Sequence, residues 1–401
     1  MRNNKKNTAF SSAAFNYYFA ASAFLTLATW MTRFLIGWMT WDLTGSALWV
    51  GVVSALMLVP TLFLSPFFGV LADRVNPRTG ILLAHLSEAV LTLATAAANL
   101  QGLFSLGWIL VLALLLGALS AAQHPMRLVL LPRLVDRALM SSAIGLASTT
   151  YNASRVLGPA LGAWLLLQVS AAGAFVTVSL LFLLGVLLIL RIRLPEYRPA
   201  EQTQTVLRAL LQGVRFALSV PLIRLVLILT AIDGLLGRSI MELLPAISGQ
   251  LIQGNAATLA TLTALAGVGS ILGGLLVSRL RGRERTLLRL VLGSLLICSA
   301  VLLPVAAVRA LPGLGAVIMM LSMAVTMIGT GCQALIQLSV ADEYRGRVLS
   351  IWTVVSLGMP AVGAFVIGAS ADLFGFRPVL IFSALLGALV VLLMARRNRA
   401  L

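Results

Sequence analysis

Apolar blocks of roughly 20 residues recur twelve times along this chain of 401 residues, with short polar gaps between them. A helix needs ~20 apolar residues to cross a ~30 Å hydrocarbon core. The spans read as 15–40, 46–71, 79–100, 104–125, 141–168, 170–191, 222–245, 257–279, 287–307, 311–337, 346–371 and 376–395. The blocks are continuous runs of Leu, Ala, Val and Gly. They do not alternate residue by residue, which sets aside a closed β-barrel, the other backbone solution in lipid. The pattern predicts an all-α membrane protein of twelve transmembrane helices, with no room for a large soluble domain. The longest polar gap is 192–221. Within it Val206, Leu210, Val214 and Leu218 follow helical spacing, with Arg208 and Arg215 elsewhere on the wheel, as in an amphipathic helix on the inner membrane surface. The expected organisation is a six-helix bundle over 1–192, a cytoplasmic linker over 193–221 and a second six-helix bundle over 222–401.

Composition agrees with this picture. The chain is 60% hydrophobic and 10% charged, where soluble domains carry nearer a quarter of charged residues. Its formal charge of +17 would point to nucleic acid in a soluble protein, but the basic residues lie in the gaps. Twenty-four of the 29 fall at the ends and in alternate gaps, two (Arg309 and Arg377) fall on the opposite side, and Arg33, Arg155 and Arg238 lie within spans. The positive-inside rule then places both termini in the cytoplasm and removes the case for nucleic-acid binding. The start, MRNNKKNTAF, is polar and basic and leads into a block of full span length. No cleaved signal peptide or lipid anchor is expected.

Little of the chain suggests an enzyme. Its two cysteines, Cys298 and Cys332, and two histidines, His85 and His124, lack metal-site spacing. Neither a metal nor a cofactor is expected. A P-loop needs a lysine at the phosphates, and the lysines are Lys5 and Lys6.

The two halves repeat. Gly69-Val-Leu-Ala-Asp73-Arg74 after span two is matched by Gly274-Leu-Leu-Val-Ser278-Arg279 after span eight, and Pro159-Ala-Leu-Gly162 by Pro360-Ala-Val-Gly363. With the six-plus-six layout, the loop Gly69, Leu71, Asp73, Arg74, Asn76, Pro77, Arg78 resembles the signature of the major facilitator superfamily, G-x-L-x-D-R-x-G-R-K. Asn76 stands for the second glycine, a residue that tolerates a left-handed turn. The resemblance implies two pseudo-symmetric bundles, a monomer in the lipid bilayer and a small-molecule substrate. It also implies a cytoplasmic gate in which Asp73 meets the helix N-terminus near Arg345 and Arg347. Gly145, Ser154, Gly158, Pro159 and Gly162-Ala163 in span five resemble the family's antiporter motif. Within the superfamily the chain resembles enterobactin-exporter-like and macrolide-efflux-like members, through Arg33-Phe34, FGVLADR at 68–74, LLPRLVDRALMSSAIGL at 130–146 and ADEYRGRVLSIW at 341–352.

Six charges fall inside spans: Arg33, Glu88, Arg155, Asp233, Arg238 and Glu242. Each costs ~2.5–3.5 kcal/mol at a helix centre and should face protein or a wet path. Arg238 and Glu242 share a face at i,i+4. At ~100° per residue Asp233 lies about 140° from Arg238. Asp233 is the candidate proton carrier and Arg33 its partner or an anion anchor; a structural salt bridge is the competing reading. Together the six are neutral, so protonated carboxylates would leave a cationic path suited to an anionic substrate such as a catecholate or hydroxycarboxylate siderophore. Trp30, Tyr151 and buried, polar Asn152 are candidate contacts, and Glu88 with His85 forms a local hydrogen bond or a proton relay. The expected function is proton-coupled antiport exporting such a molecule. A siderophore importer, a macrolide or multidrug pump and a receptor that does not transport remain the alternatives.

Overall fold

A computed structural model describes residues 9–72, 75–136, 139–193, 215–279, 284–308, 310–340 and 342–397. Asp73, Arg74 and the amphipathic stretch at 206–214 lie outside the described residues, as do the side chains of Arg345 and Arg347. Every described element is helical. In order they are α1 (Ala13–Thr44), α2 (Ala47–Ala72), α3 (Pro77–Leu100), α4 (Leu106–Leu130), α5 (Met140–Gln168) and α6 (Ala171–Leu190). The next rod is broken into α7a (Pro221–Asp233), a π-helical turn (Gly234–Arg238), α7b (Ser239–Glu242) and α7c (Leu244–Ile252). Then follow α8 (Ala256–Ser278), α9 (Glu284–Ala307), α10 (Leu311–Ser339), α11 (Asp342–Phe374) and α12 (Phe376–Arg397). Each expected span coincides with one rod to within a turn or two.

Among the described residues, ten of these helices are long and apolar enough to cross a membrane. The other two rods are α5 and α7. The middle of α5 carries Thr149, Thr150, Asn152, Ser154 and Arg155, which dilute its hydropathy. The pieces of α7 are each too short to span alone. Both departures coincide with intramembrane charge, as expected where polar side chains face protein and not lipid.

Tight turns keep the rods close in sequence. Ser105, Ser170 and Asn255 each accept a hydrogen bond from a first-turn backbone N–H of α4, α6 and α8, which satisfies donors that a helix start leaves open. Asn76 does the same for α3, its Oδ1 accepting from Arg78 N at 3.0 Å. Its φ is −56°, so the left-handed turn that an asparagine tolerates is not used here. With Pro77 at the first helical position, capping is the more favourable use of an asparagine.

The chain divides into two compact units. Residues 1–39 and 60–202 make the first, and residues 40–59 and 203–401 the second. Within the second unit the start of α2 packs on α11. The Asp372 carboxylate accepts from Ala47 N at 2.8 Å and Leu48 N at 3.1 Å and bonds the Ser46 hydroxyl. A carboxylate at a helix N-terminus meets both open donors and the positive end of the helix dipole. Losing such a cap costs about 1 kcal/mol. Asp372→Ala is therefore expected to lose stability of that order and so to lower the thermal midpoint, and Asp372→Asn to recover most of the loss, as read by unfolding of the detergent-purified protein.

Candidate functional site

In the first unit, α5 lies against α1 along a ladder of small residues spaced by four. Ser154 Oγ and Thr26 Oγ1 are hydrogen-bonded at 2.8 Å. A methyl at Gly158 would stand 2.6 Å from Trp30 Cβ, and one at Gly162 would stand 2.9 Å from the Phe34 ring. Small residues at i,i+4 let two helix backbones approach, so three positions of the antiporter-like motif make one helix seam. Pro159 is buried in the same helix, and Gly145 has open space around it.

That seam brings two cations to the Trp30 ring. The Arg33 guanidinium lies 5.7 Å and that of Arg155 5.6 Å from the centre of the Trp30 ring. The Tyr151 ring meets Trp30 edge-on at 5.6 Å. Arg33 is three residues from Trp30 and Arg155 four from Tyr151, spacings that share a helix face. The Trp30 Nε1 donor is buried without a partner. Asn152 is half-buried nearby in sequence on α5.

Glu88 sits apart from this cluster as part of a closed polar core. Its Oε2 is 2.7 Å from His85 Nδ1, and its Oε1 accepts from Gln123 Nε2 at 2.8 Å. Glu88 is 2% and His85 5% exposed, and the imidazole stacks on Phe182. Both carboxylate oxygens have partners, so the group ties α3 to α4 and reads as structure.

In the second unit the geometry departs from the helical wheel. The π-helical turn Gly234–Arg238 closes its hydrogen bonds over five residues where an α-helix uses four. Residues i and i+5 therefore fall on one face, and Arg238 Nε donates to Asp233 Oδ2 at 3.2 Å. The α-helical separation of about 140° assumed no such turn. Within this unit the structure gives Asp233 a partner in Arg238, on its own rod. Glu242 ends α7b, half-buried.

Glycines on α7 and α10 make room for this pair, and one on α11 for the turn's backbone. A side chain at Gly329 on α10 would collide with the Arg238 guanidinium, and one at Gly237 would stand 2.9 Å from Asp233 Oδ1 and 3.0 Å from Cys298 Sγ. On α11 a methyl at Gly363 would stand 2.6 Å from the Leu235 carbonyl oxygen. Gly363 and Gly162, matched in the internal repeat, thus each seat their helix on the first rod of the same sequence half. Asp233 is 1% exposed, and its Oδ1 has no partner. Cys298 and Cys332 are free and buried.

Of the gate motif, Gly69 lies in α2, Asp73 and Arg74 lie outside the described residues, and Arg78 is placed. Arg78 donates to the carbonyls of Ile189 at 3.1 Å and Leu190 at 2.7 Å. A cation on the last carbonyls of α6 complements that helix end, so Arg78 ties α3 to α6.

A family model described as a transmembrane secretion effector matches residues 6–399. The chain belongs to this family of the major facilitator superfamily. The staphyloferrin A transporter of Staphylococcus aureus is 25% identical to it over 382 residues, 90% of each chain. Among solved structures, a bacterial homologue of the human lysosomal transporter Spinster, inward-facing and unoccupied, has a TM-score of 0.76 at 16% identity and covers 96% of this chain and 97% of its own. The nucleoside transporter NupG has a TM-score of 0.74 at 12% identity, covering 96% and 99%. The transporter is thus a multi-pass helical membrane protein that moves a small molecule and is no enzyme.

Sequence reasoning missed Gln123, the lone indole donor of Trp30, and the glycines at 237 and 329. Gly234 and Gly237 flanking an intramembrane charge were the available signal for the broken rod.

Proposed function

We propose that this transporter is a proton-coupled antiporter of a bacterial inner membrane that exports a small anionic metabolite of the siderophore class. It works as a monomer with both termini in the cytoplasm. The family's description as a secretion effector supports the outward direction, and the staphyloferrin A transporter among its relatives supports the substrate class. Basic residues gathered in alternate gaps support the orientation.

The observation that carries the reading is Asp233, a buried intramembrane carboxylate with one oxygen on Arg238 and the other without a donor. An ionised carboxylate only accepts hydrogen bonds, and a protonated one also donates. A proton on Oδ1 removes the charge that holds Arg238 across the two ends of the π-helical turn. The turn then relaxes toward α-helical register, which rotates the segment that follows about the helix axis. Ion-paired and protonated Asp233 thereby favour two arrangements of one rod, the kind of two-state element a proton can bias. One proton crossing 100 mV supplies ~2.3 kcal/mol, enough for a concentration ratio of roughly fiftyfold.

Thermal-shift binding on the purified protein tests the substrate, with siderophores, staphyloferrin A among them, offered iron-free and iron-loaded beside macrolides and lipophilic cations. Stabilisation by the iron-free form is the expected result. Preference for the iron-loaded form turns the reading to import, and stabilisation by macrolides or cations alone replaces the substrate class.

A further inference from the structure

Two guanidinium groups from different helices share one indole ring inside the first unit, and nothing in a helix seam requires that. A tight seam is already made by Ser154, Gly158 and Gly162 against α1. Aliphatic side chains at 33 and 155 would serve it without placing two like charges in a membrane-spanning bundle, each costing ~2.5–3.5 kcal/mol at a helix centre. Both cations lie within 6 Å of the Trp30 centroid, the range in which the ring face attracts them. The indole is a shared neighbour that limits the rotamers the two forks can adopt. Its own N–H is buried and unpartnered, and an unmade bond of that kind costs about 1–3 kcal/mol.

We propose that Arg33, Arg155 and the Trp30 N–H form an anion subsite that takes a carboxylate group of the transported molecule. The proposal rests on the reading of the protein as a transporter of an anionic metabolite and names the group by which that molecule is held. The chemistry matches part by part. A guanidinium presents a planar fork that fits a carboxylate with two parallel N–H donors. Two forks accept the multiple carboxylates of a hydroxycarboxylate chelator. The indole N–H supplies one more donor, to an oxygen that the arginines leave open. Tyr151, 44% exposed and edge-on to the same ring, adds an aromatic wall beside the charges. Both arginines make further interactions of their own, so substrate binding is an exchange of partners and can be reversed, as transport requires.

Citrate, a tricarboxylate, and its neutral triethyl ester are the probes, applied at millimolar concentration to the full chain in neutral-lipid nanodiscs, with binding read by calorimetry and by thermal shift. The expected result is citrate binding with no ester binding. Trp30→Phe keeps an aromatic face for the two cations and removes the pyrrole ring with its N–H, and it should weaken citrate at least about tenfold, the scale of one hydrogen bond to a charged group. Arg155→Gln should weaken it at least as much, and Arg155→Lys should recover part of the loss. The thermal midpoint of each unliganded variant shows that the loss is not one of folding. Wild-type protein that ignores citrate, or that binds the ester equally well, overturns the proposal. So does citrate affinity unchanged in Trp30→Phe and Arg155→Gln. Citrate binding abolished by replacing neutral lipid with anionic lipid assigns the subsite to a lipid phosphate and also overturns it. In each of these cases stabilisation by an iron-free siderophore leaves the proposed function standing, and its absence from the siderophore panel ends that reading separately.

Discussion

Asp233→Asn is expected to abolish transport driven by a pH gradient, by at least about tenfold in initial rate, while substrate exchange across proteoliposomes without a gradient continues. Asparagine has nearly the shape of aspartate and keeps a carbonyl oxygen for Arg238 Nε, so the turn that Asp233 and Arg238 bridge can still form. It can neither carry a proton nor a charge. The variant trades a charge-assisted bond, worth about 1.5–3 kcal/mol, for a weaker neutral one, so a modest loss of stability should accompany the loss of coupling. Asp233→Ala removes the carboxylate that Arg238 pairs with, and breaking a buried pair one-sidedly costs up to about 3–5 kcal/mol. Arg238 is 33% exposed, which lowers that figure. Equal pH-driven rates in wild-type and Asp233→Asn proteoliposomes would remove Asp233 from the proton path and return the pair to a structural role.

The second large effect lies at the seam of α8 and α10. Gly269 and Gly273, four residues apart, face the backbone of α10. A side chain at Gly269 would collide with the Met319 carbonyl, and one at Gly273 would stand 2.5 Å from the Met323 carbonyl oxygen. Backbone cannot move aside as a flexible side chain can. The same approach lets Ser322 Oγ donate to the Ala266 carbonyl at 2.6 Å and Thr326 to Ser270 at 3.0 Å. In lipid, helices associate through such close packing and hydrogen bonding, without a hydrophobic drive between them. Gly269→Leu must part the helices and lose both bonds. Overpacking costs about 1–3 kcal/mol and each hydrogen bond about 1, so a loss of at least about 3 kcal/mol is expected. The readout is the yield of monodisperse protein on size-exclusion chromatography and its thermal midpoint. Wild-type yield and midpoint for Gly269→Leu would contradict the seam. Gly269→Ala should fall between the two.

The rods were legible in the chain because lipid imposes a length and a composition on anything that crosses it, and those are properties of consecutive residues. Short polar gaps and the six-plus-six layout follow from the same local accounting. The small residues at 154, 158 and 162 were visible as parts of the antiporter-like motif, and a spacing of four puts them on one side of a helix. Their partners, Thr26, Trp30 and Phe34, stand more than a hundred positions earlier, and no local pattern names them. The same holds for Gln123 as the partner of Glu88. Asp233 and Arg238 were each visible as intramembrane charges, yet the angle between them was misjudged. A single wheel assumes one helical period, while a five-residue turn lies between them, closely surrounded at Gly234, Gly237, Gly329 and Gly363. Sequence alone determined that this is a twelve-rod helical membrane protein with buried charge. Tertiary packing decided which charges meet, since pairing depends on where neighbouring helices lack side chains.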